Sequence, residues 1–347
     1  MMVKAKASEA IHAYTLVTDL QRYFANKLND VSRKYGKNQN FEEVTWLRDE
    51  GLHGGGSRYE ARDATLFNRG SINVSQIQYD DLQEKQLGSA TAISTIIHPN
   101  NPHVPSMHMH ISWTQMKSGK GYWRIMADLN PSIEDEDAKQ MFCDTLMSES
   151  GEYSTEGITC GDKYFNIPVL ERTRGVSHFY LENFNTGNFE IDYKYAHNFG
   201  TQVINTYVTI ISKAIENHPS FTDADKQKQL DYHTLYLFQV LTLDRGTTSG
   251  LLVHSQNDVG IMGSIPSHVN RDLLQSWIEK MPQPQDKLVL SLLNALPNQV
   301  PTPVEVETKK LLAQAVREHY AKYPEALEMQ ASGGIIPPTV QNHSSSA

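Results

Sequence analysis

Between residues 7 and 34 the apolar side chains Val17, Leu20, Phe24, Leu28 and Val31 recur every three or four positions, the spacing that gathers them on one face of a helix. A long first helix is predicted, broken by Gly36 and the polar run Lys37 to Asn40. The following stretch, Glu42 to Gly56, carries Trp46 and ends in three glycines, whose missing side chains permit a turn or a close backbone approach to a neighbour or ligand. From Thr65 to Trp123 the pattern shortens to β-rich segments, SINVSQIQY, ATAISTIIH, SMHMHISWTQ and GYWRIMADL, separated by Gly, Asn and Pro. These read as successive antiparallel strands, because the loops are too short for helical crossovers.

Helical character returns at Ile133 to Met147, opened by carboxylates that complement the helix dipole. An irregular strand region is expected over Phe165 to Phe184. A second long helix is marked by Ile204, Tyr207, Ile211 and Ile215, and a shorter one by Lys226 to His233. Leu235 to Leu243, apolar without a helical period, reads as a buried strand running into Asp244, Arg245 and Gly246. A last helix is expected over Val304 to Tyr323, and the Gly-, Pro- and Ser-rich residues 331–347 read as a disordered tail. With no internal repeat and no linker-like shift in composition, residues 1–330 are expected to form a single α+β domain.

Composition narrows the class. No apolar run approaches the 18 or so residues of a membrane span, and the amino-terminal residues lack a secretory pattern. Two cysteines, Cys143 and Cys160, are too few for a disulfide framework and point to a reducing cytoplasm. A net charge of -9 argues against a general nucleic-acid or anionic-membrane surface.

Candidate chemistry concentrates between His98 and Pro131. On a strand, His108 and His110 share one face while Met107 and Met109 take the other. Two imidazoles so placed could ligate a metal together with His98 or His103. One of them could instead move protons beside an organic substrate, or both could be structural.

The surroundings carry a resemblance. In order along the chain stand Trp46 with the run Gly54 to Arg58, the run Arg69 to Ser75 (RGSINVS), Ser94 to His108 (STIIHPNNPHVPSMH), Asp128 to Pro131 (DLNP), Glu171 to Gly175 (ERTRG), and Asp244 to Leu251 (DRGTTSGL). This series resembles the oxygen-dependent coproporphyrinogen III oxidases. The resemblance implies a large antiparallel sheet flanked by helices on both faces, a homodimer, and oxidative decarboxylation of two tetrapyrrole propionates to vinyls with molecular oxygen as co-substrate and no organic or metal cofactor. It implies that Asp128 and His108 are catalytic, the aspartate polarising a pyrrole N–H and the histidine moving a proton. Ser94, His98, His110, Arg174 and Arg245 are implied in substrate binding, guanidinium groups suiting carboxylates bidentately.

The chain also departs from the family pattern. Ser112 stands where an arginine is expected, and Tyr122 to Met126 replaces a glycine-rich turn. Phe142, Val169 and Gln78 stand for histidines, and Ser255, Gln256 and Asn257 stand for Gly-Gly-Arg. Arg124 or Arg172 could supply the missing cation from a neighbouring position. These departures keep a second reading open, a non-catalytic or altered-substrate tetrapyrrole-binding paralogue.

Overall fold

The computed structural model describes residues 2–336 and 338–343. Its centre is a seven-stranded, wholly antiparallel sheet. After helix α1 (Ser8–Tyr35) the strands are β1 (Glu42–Leu47), β2 (Gly54–Glu60), β3 (Phe67–Gln78), β4 (Leu87–Pro99), β5 (Ser106–Met116) and β6 (Gly121–Asn130). Helices α2 (Glu136–Ser150) and α3 (Ser154–Tyr164) and a small hairpin, β7 (Asn166–Ile167) with β8 (Arg172–Thr173), precede β9 (Ser177–Phe184). The last of these returns to pair with β6 and closes the order β1-β2-β3-β4-β5-β6-β9.

The sheet follows from alternation. In β5, Met107, Met109, Ile111 and Trp113 are buried on one face, so His108, His110, Ser112 and Thr114 take the other. In β6 the split is Trp123, Ile125, Ala127 and Leu129 against Arg124, Met126 and Asp128. The apolar face packs on α1 and on α4 (Phe189–Asn217), with Phe24 edge-on to Tyr207 at 6.2 Å. α1 forms because its apolar positions make one continuous stripe, and it stops at Gly36, where a Cβ would lie 2.2 Å from the Asp63 carboxylate.

The polar face is covered by a second, separate core. It contains α5 (Asp223–Thr242), α6 (Arg245–Val253), α7 (Asp258–Ile261), α8 (Arg271–Gln275), α9 (Gln285–Ala295) and α10 (Val306–Lys322), with a short bridge between β10 (His268–Val269) and β11 (Thr302–Pro303). Helices therefore flank both faces of the sheet, as an α+β fold with one large antiparallel sheet. Ile96 joins the sheet to this second core, and a cavity is left between the polar face and the helices.

One expectation is corrected. Leu235 to Leu243 is not a strand: residues up to Thr242 are the second half of α5, opened by a Thr222/Asp225 capping box. Every side chain from Tyr232 to Thr242 is buried, so this half of the helix has no polar face and no helical period to read. Consequently Asp244 does not end a strand; it caps α6, accepting from the Thr247 amide at 2.6 Å. Of the uses open to the glycine run, close backbone approach to a neighbour is the one realised; the run makes no turn and does not line the cavity. Gly54 and Gly55 lie in β2 at φ +100° and +153°, and a Cβ on Gly54 would sit 2.0 Å from the Gln76 carbonyl oxygen. Of residues 331–347, expected to form a disordered tail, Thr339–His343 form helix α11; residues 337 and 344–347 lie outside the described residues. Among the described residues, no helix is long and apolar enough to cross a membrane.

Candidate active site

Between the polar face of the sheet and the second helical layer lies a cavity of about 260 Å³. Its floor is small and polar because alternate positions of four strands face it: Ser71, Asn73 and Ser75 of β3, Ala92 and Ser94 of β4, His110 and Ser112 of β5, Arg124 of β6. Its walls come from Tyr164, Tyr180 and Tyr236 and from the first turns of α6.

His108 and Asp128 stand directly opposite each other in the β5–β6 register. Their side chains meet, Nδ1 of His108 lying 2.6 Å from Oδ1 of Asp128. An ionised carboxylate only accepts, so in this contact Nδ1 carries the hydrogen. Asp128 itself is fully buried. Its second oxygen takes hydrogen bonds from Arg174 Nη2 at 2.7 Å and Asn130 Nδ2 at 2.6 Å. Burial would raise its pKa, but the Arg174 charge and His108 outweigh burial and hold the carboxyl well below the usual carboxylate range. Arg174 is held in turn by Gln239 Oε1 at 2.8 Å and lies over the rings of Phe165 and Tyr236.

The other expected binding residues divide. Ser94 and His110 line the cavity as a directly opposed pair across β4 and β5. Burial, then the nearby Arg124 charge, pushes the His110 pKa well below the usual histidine value, so the ring is neutral; its Nε2 lies 3.0 Å from Ser112 Oγ. His98 is fully buried, and both ring nitrogens are taken, by Ser106 Oγ at 2.8 Å and the Ser264 carbonyl at 3.0 Å. It braces β4 against the helices behind the cavity. Arg245 lines the cavity at the start of α6, where it donates to the Leu327 carbonyl at 3.0 Å; among the described residues it makes no ion pair.

Arg124 is the cross-strand neighbour of Ser112, so a cation does stand beside the position where the resemblance expects one. Its charge is engaged, however, by a bidentate pair with buried Glu182 at 2.7 and 3.0 Å. Arg172 is exposed on β8, away from the cavity. The imidazoles considered as a metal set do not converge: His98 is bonded behind the cavity, and His103 stacks on His218 at 4.2 Å. Among the described residues no group of three or more His, Cys, Asp and Glu side chains is placed to hold a metal ion.

Sequence reasoning missed Tyr164, Tyr236, Gln239, Glu182 and His343. The small alternate residues of SINVS were a readable signal for the cavity floor; the tyrosines and Gln239 are brought in by helices distant in sequence and left none.

The family model described as coproporphyrinogen III oxidase matches residues 12–294. The chain is 25% identical over 303 residues to the oxygen-dependent coproporphyrinogen-III oxidase of Drosophila melanogaster, covering 80% of this chain and 75% of that protein. Proteins of the same name from Rickettsia bellii (strain OSU 85-389) and Rickettsia akari (strain Hartford) are 25% and 24% identical over 274 residues, each match covering 73% of this chain and 94% of the relative.

Proposed function

The chain belongs to the coproporphyrinogen III oxidase family, and from that premise we propose that its cavity binds coproporphyrinogen III and converts two propionates to vinyl groups at the expense of molecular oxygen. The observation that carries this reading is the His108–Asp128–Arg174 chain on the cavity wall. His108 Nε2 takes a proton from the bound pyrrolic substrate, and buried Asp128, kept ionised by Arg174, stabilises the imidazolium that forms. The aspartate thus acts through the histidine, as a positioning residue. Oxidation balances for each arm: a propionate C–H bond and the bond to its carboxyl carbon break, a C=C bond forms, and CO₂ leaves. The two electrons released, together with the proton from the C–H bond and a second proton from the carboxyl group or from water, reduce one O₂ to hydrogen peroxide. Arg245, bonded to backbone carbonyls but to no carboxylate among the described residues, supplies an unmatched charge for a substrate carboxylate.

A second reading, a tetrapyrrole-binding paralogue without turnover, draws support from Ser112 and from the Arg124–Glu182 pair, which leaves that arginine's charge already matched. Aerobic incubation with coproporphyrinogen III, followed by chromatography of the oxidised porphyrins, separates the two. Tri- and dicarboxylic products that disappear in His108→Ala support the oxidase; tight binding with all four carboxyl groups retained supports the paralogue. The cytoplasmic location suggested by two free, half-buried thiols and the homodimer implied by the family likeness are part of the same proposal, the dimer to be tested by sedimentation.

A further inference from the structure

Beyond the end of the cavity floor the polar face of the sheet gathers a second group of cations. Arg58 and Glu60 of β2 stand opposite Asn73 and Ser71 of β3, and Arg69 precedes Ser71 by two residues, so all three side chains share the face that carries the floor. Arg69 Nη2 donates to the Val304 carbonyl at 3.2 Å, at the entry to α10. Lys309, from the first turns of that helix, completes the group. The turn Met262–Ser264 divides it from the cavity: a Cβ on Gly263 would lie 3.4 Å from Ser71 Oγ and 3.7 Å from Arg58 Cδ.

The charges in this group do not balance. Arg58 is matched, its Nε and Nη2 holding Glu60 Oε1 at 2.8 and 2.7 Å. The second Glu60 oxygen lies 3.4 Å from Arg62 Nη2, so that carboxylate is engaged on both sides. Arg69 and Lys309 make no ion pair among the described residues. Arg69 Nε is buried without a hydrogen-bond partner. Lys309 is only 7% exposed, and among the described residues its ammonium has no hydrogen-bond partner. Burial, then the Arg69 charge, pushes the Lys309 pKa down to about 7, an effect that Glu60 and Glu305 offset only in part.

Two neighbouring cations with donors unused repel each other and lack the partners that burial demands. Side by side, a guanidinium and an ammonium offer what an oxyanion takes, a fork of N–H groups and a point charge. The side chains of Arg62 and Glu60 are 44% and 29% exposed, which puts the group within reach of solvent. We propose that Arg69 and Lys309 form a binding site for a small oxyanion, a phosphate or a carboxylate, separate from the substrate cavity, and that the bound anion ties α10 to β3. The Arg58–Glu60 pair holds the adjoining strand in place. This site stands whether or not the cavity turns over a tetrapyrrole.

The test uses the full-length chain and inorganic phosphate, compared with chloride at equal ionic strength. The first measurement is trace acetylation of Lys309 by acetic anhydride, mapped by peptide mass spectrometry, with Lys310, whose side chain is 53% exposed, as the internal reference. Near saturation, phosphate should slow acetylation of Lys309 about tenfold relative to Lys310, because occupancy removes the free amine. Acetate as a second probe separates the sources: protection by acetate at similar concentration identifies a carboxylate, protection by phosphate alone a phosphate group. Equal rates in phosphate, acetate and chloride would overturn the site. The second measurement is thermal unfolding of Lys309→Met, which removes the charge and keeps the length. Phosphate should raise the unfolding midpoint of the parent chain and leave that of the variant unmoved; an equal rise in both would place the anion elsewhere and overturn the assignment. If the variant fails to fold, acetylation of the parent chain still decides.

Discussion

Asp128 has no exposed surface and three hydrogen-bonding neighbours, His108, Arg174 and Asn130. Replacing it with Asn removes the charge and little of the shape. Asp128→Asn should lower turnover by about 100-fold or more, the scale of a lost general-base function. It should also cost about 3–5 kcal/mol in urea unfolding, because Arg174 is left buried without its counter-ion. Wild-type-like turnover in this variant would show that His108 works without the carboxylate. The arginines make a paired prediction. Arg245→Gln should weaken coproporphyrin III binding by about 1.5–3 kcal/mol, a typical value for a hydrogen bond to a charged group. Arg124→Gln should instead act mainly on stability, leaving Glu182 unpaired, with a smaller change in Kd measured by the same titration. The His108–Asp128 contact was within reach of the sequence. β5 and β6 form a hairpin, and a hairpin pairs residues equidistant from its turn. Arg174 was named from the family likeness as a partner for propionates, but its engagement with Asp128 and Gln239 was not visible. It depends on β9 returning beside β6 and on α5 crossing behind, both set by packing between distant segments.

At the scale of elements, what could be read depended on whether a segment has two unlike faces. α1, α4 and strands β3 to β6 have them; α1 and the strands were expected where they stand within a few residues, and α4 was expected in its second half, from Ile204, although it begins at Phe189. The second half of α5 has none, so it passed for a strand; only the Thr222/Asp225 capping box upstream argued otherwise. The three glycines of β2 suggested a turn because glycine freedom has several uses, and the one in play, carbonyl oxygens of both neighbouring strands crowding the positions of absent Cβ atoms, shows only in three dimensions. The helical reading of Leu235 to Thr242 carries its own test. Phe238 is fully buried and packs edge-on to Trp277 at 5.1 Å. Phe238→Ala should cost about 3–5 kcal/mol in chemical denaturation, and a loss under about 1 kcal/mol would contradict a packed helix at this position.

The whole molecule encloses several histidines that are held neutral. Burial lowers the pKa of His98 and His110 well below the usual value, that of His233 and His254 to about 3, and that of His343 to about 4. As pH falls below about 6.5, the unfolded chain protonates these rings and the folded chain does not. Stability should therefore fall by about 1.4 kcal/mol per pH unit for each ring that stays neutral, from pH 6.5 toward the folded pKa of each. Asp128 works in the same direction at lower pH: its depressed pKa adds stability above about pH 4 that disappears on further acidification. Urea unfolding at pH 7.5 and 5.5 checks this, and equal free energies at the two values would contradict it.

The central claim is that His108, on its Asp128 support, drives the oxidation of a propionate. It is tested most directly by measuring hydrogen peroxide and vinyl groups formed from coproporphyrinogen III under air, with the wild-type chain and with His108→Ala. One peroxide is expected per vinyl group formed, and neither in the variant. Unchanged vinyl formation in His108→Ala, or loss of substrate to coproporphyrin with all four carboxyl groups intact in the wild-type chain, would contradict it.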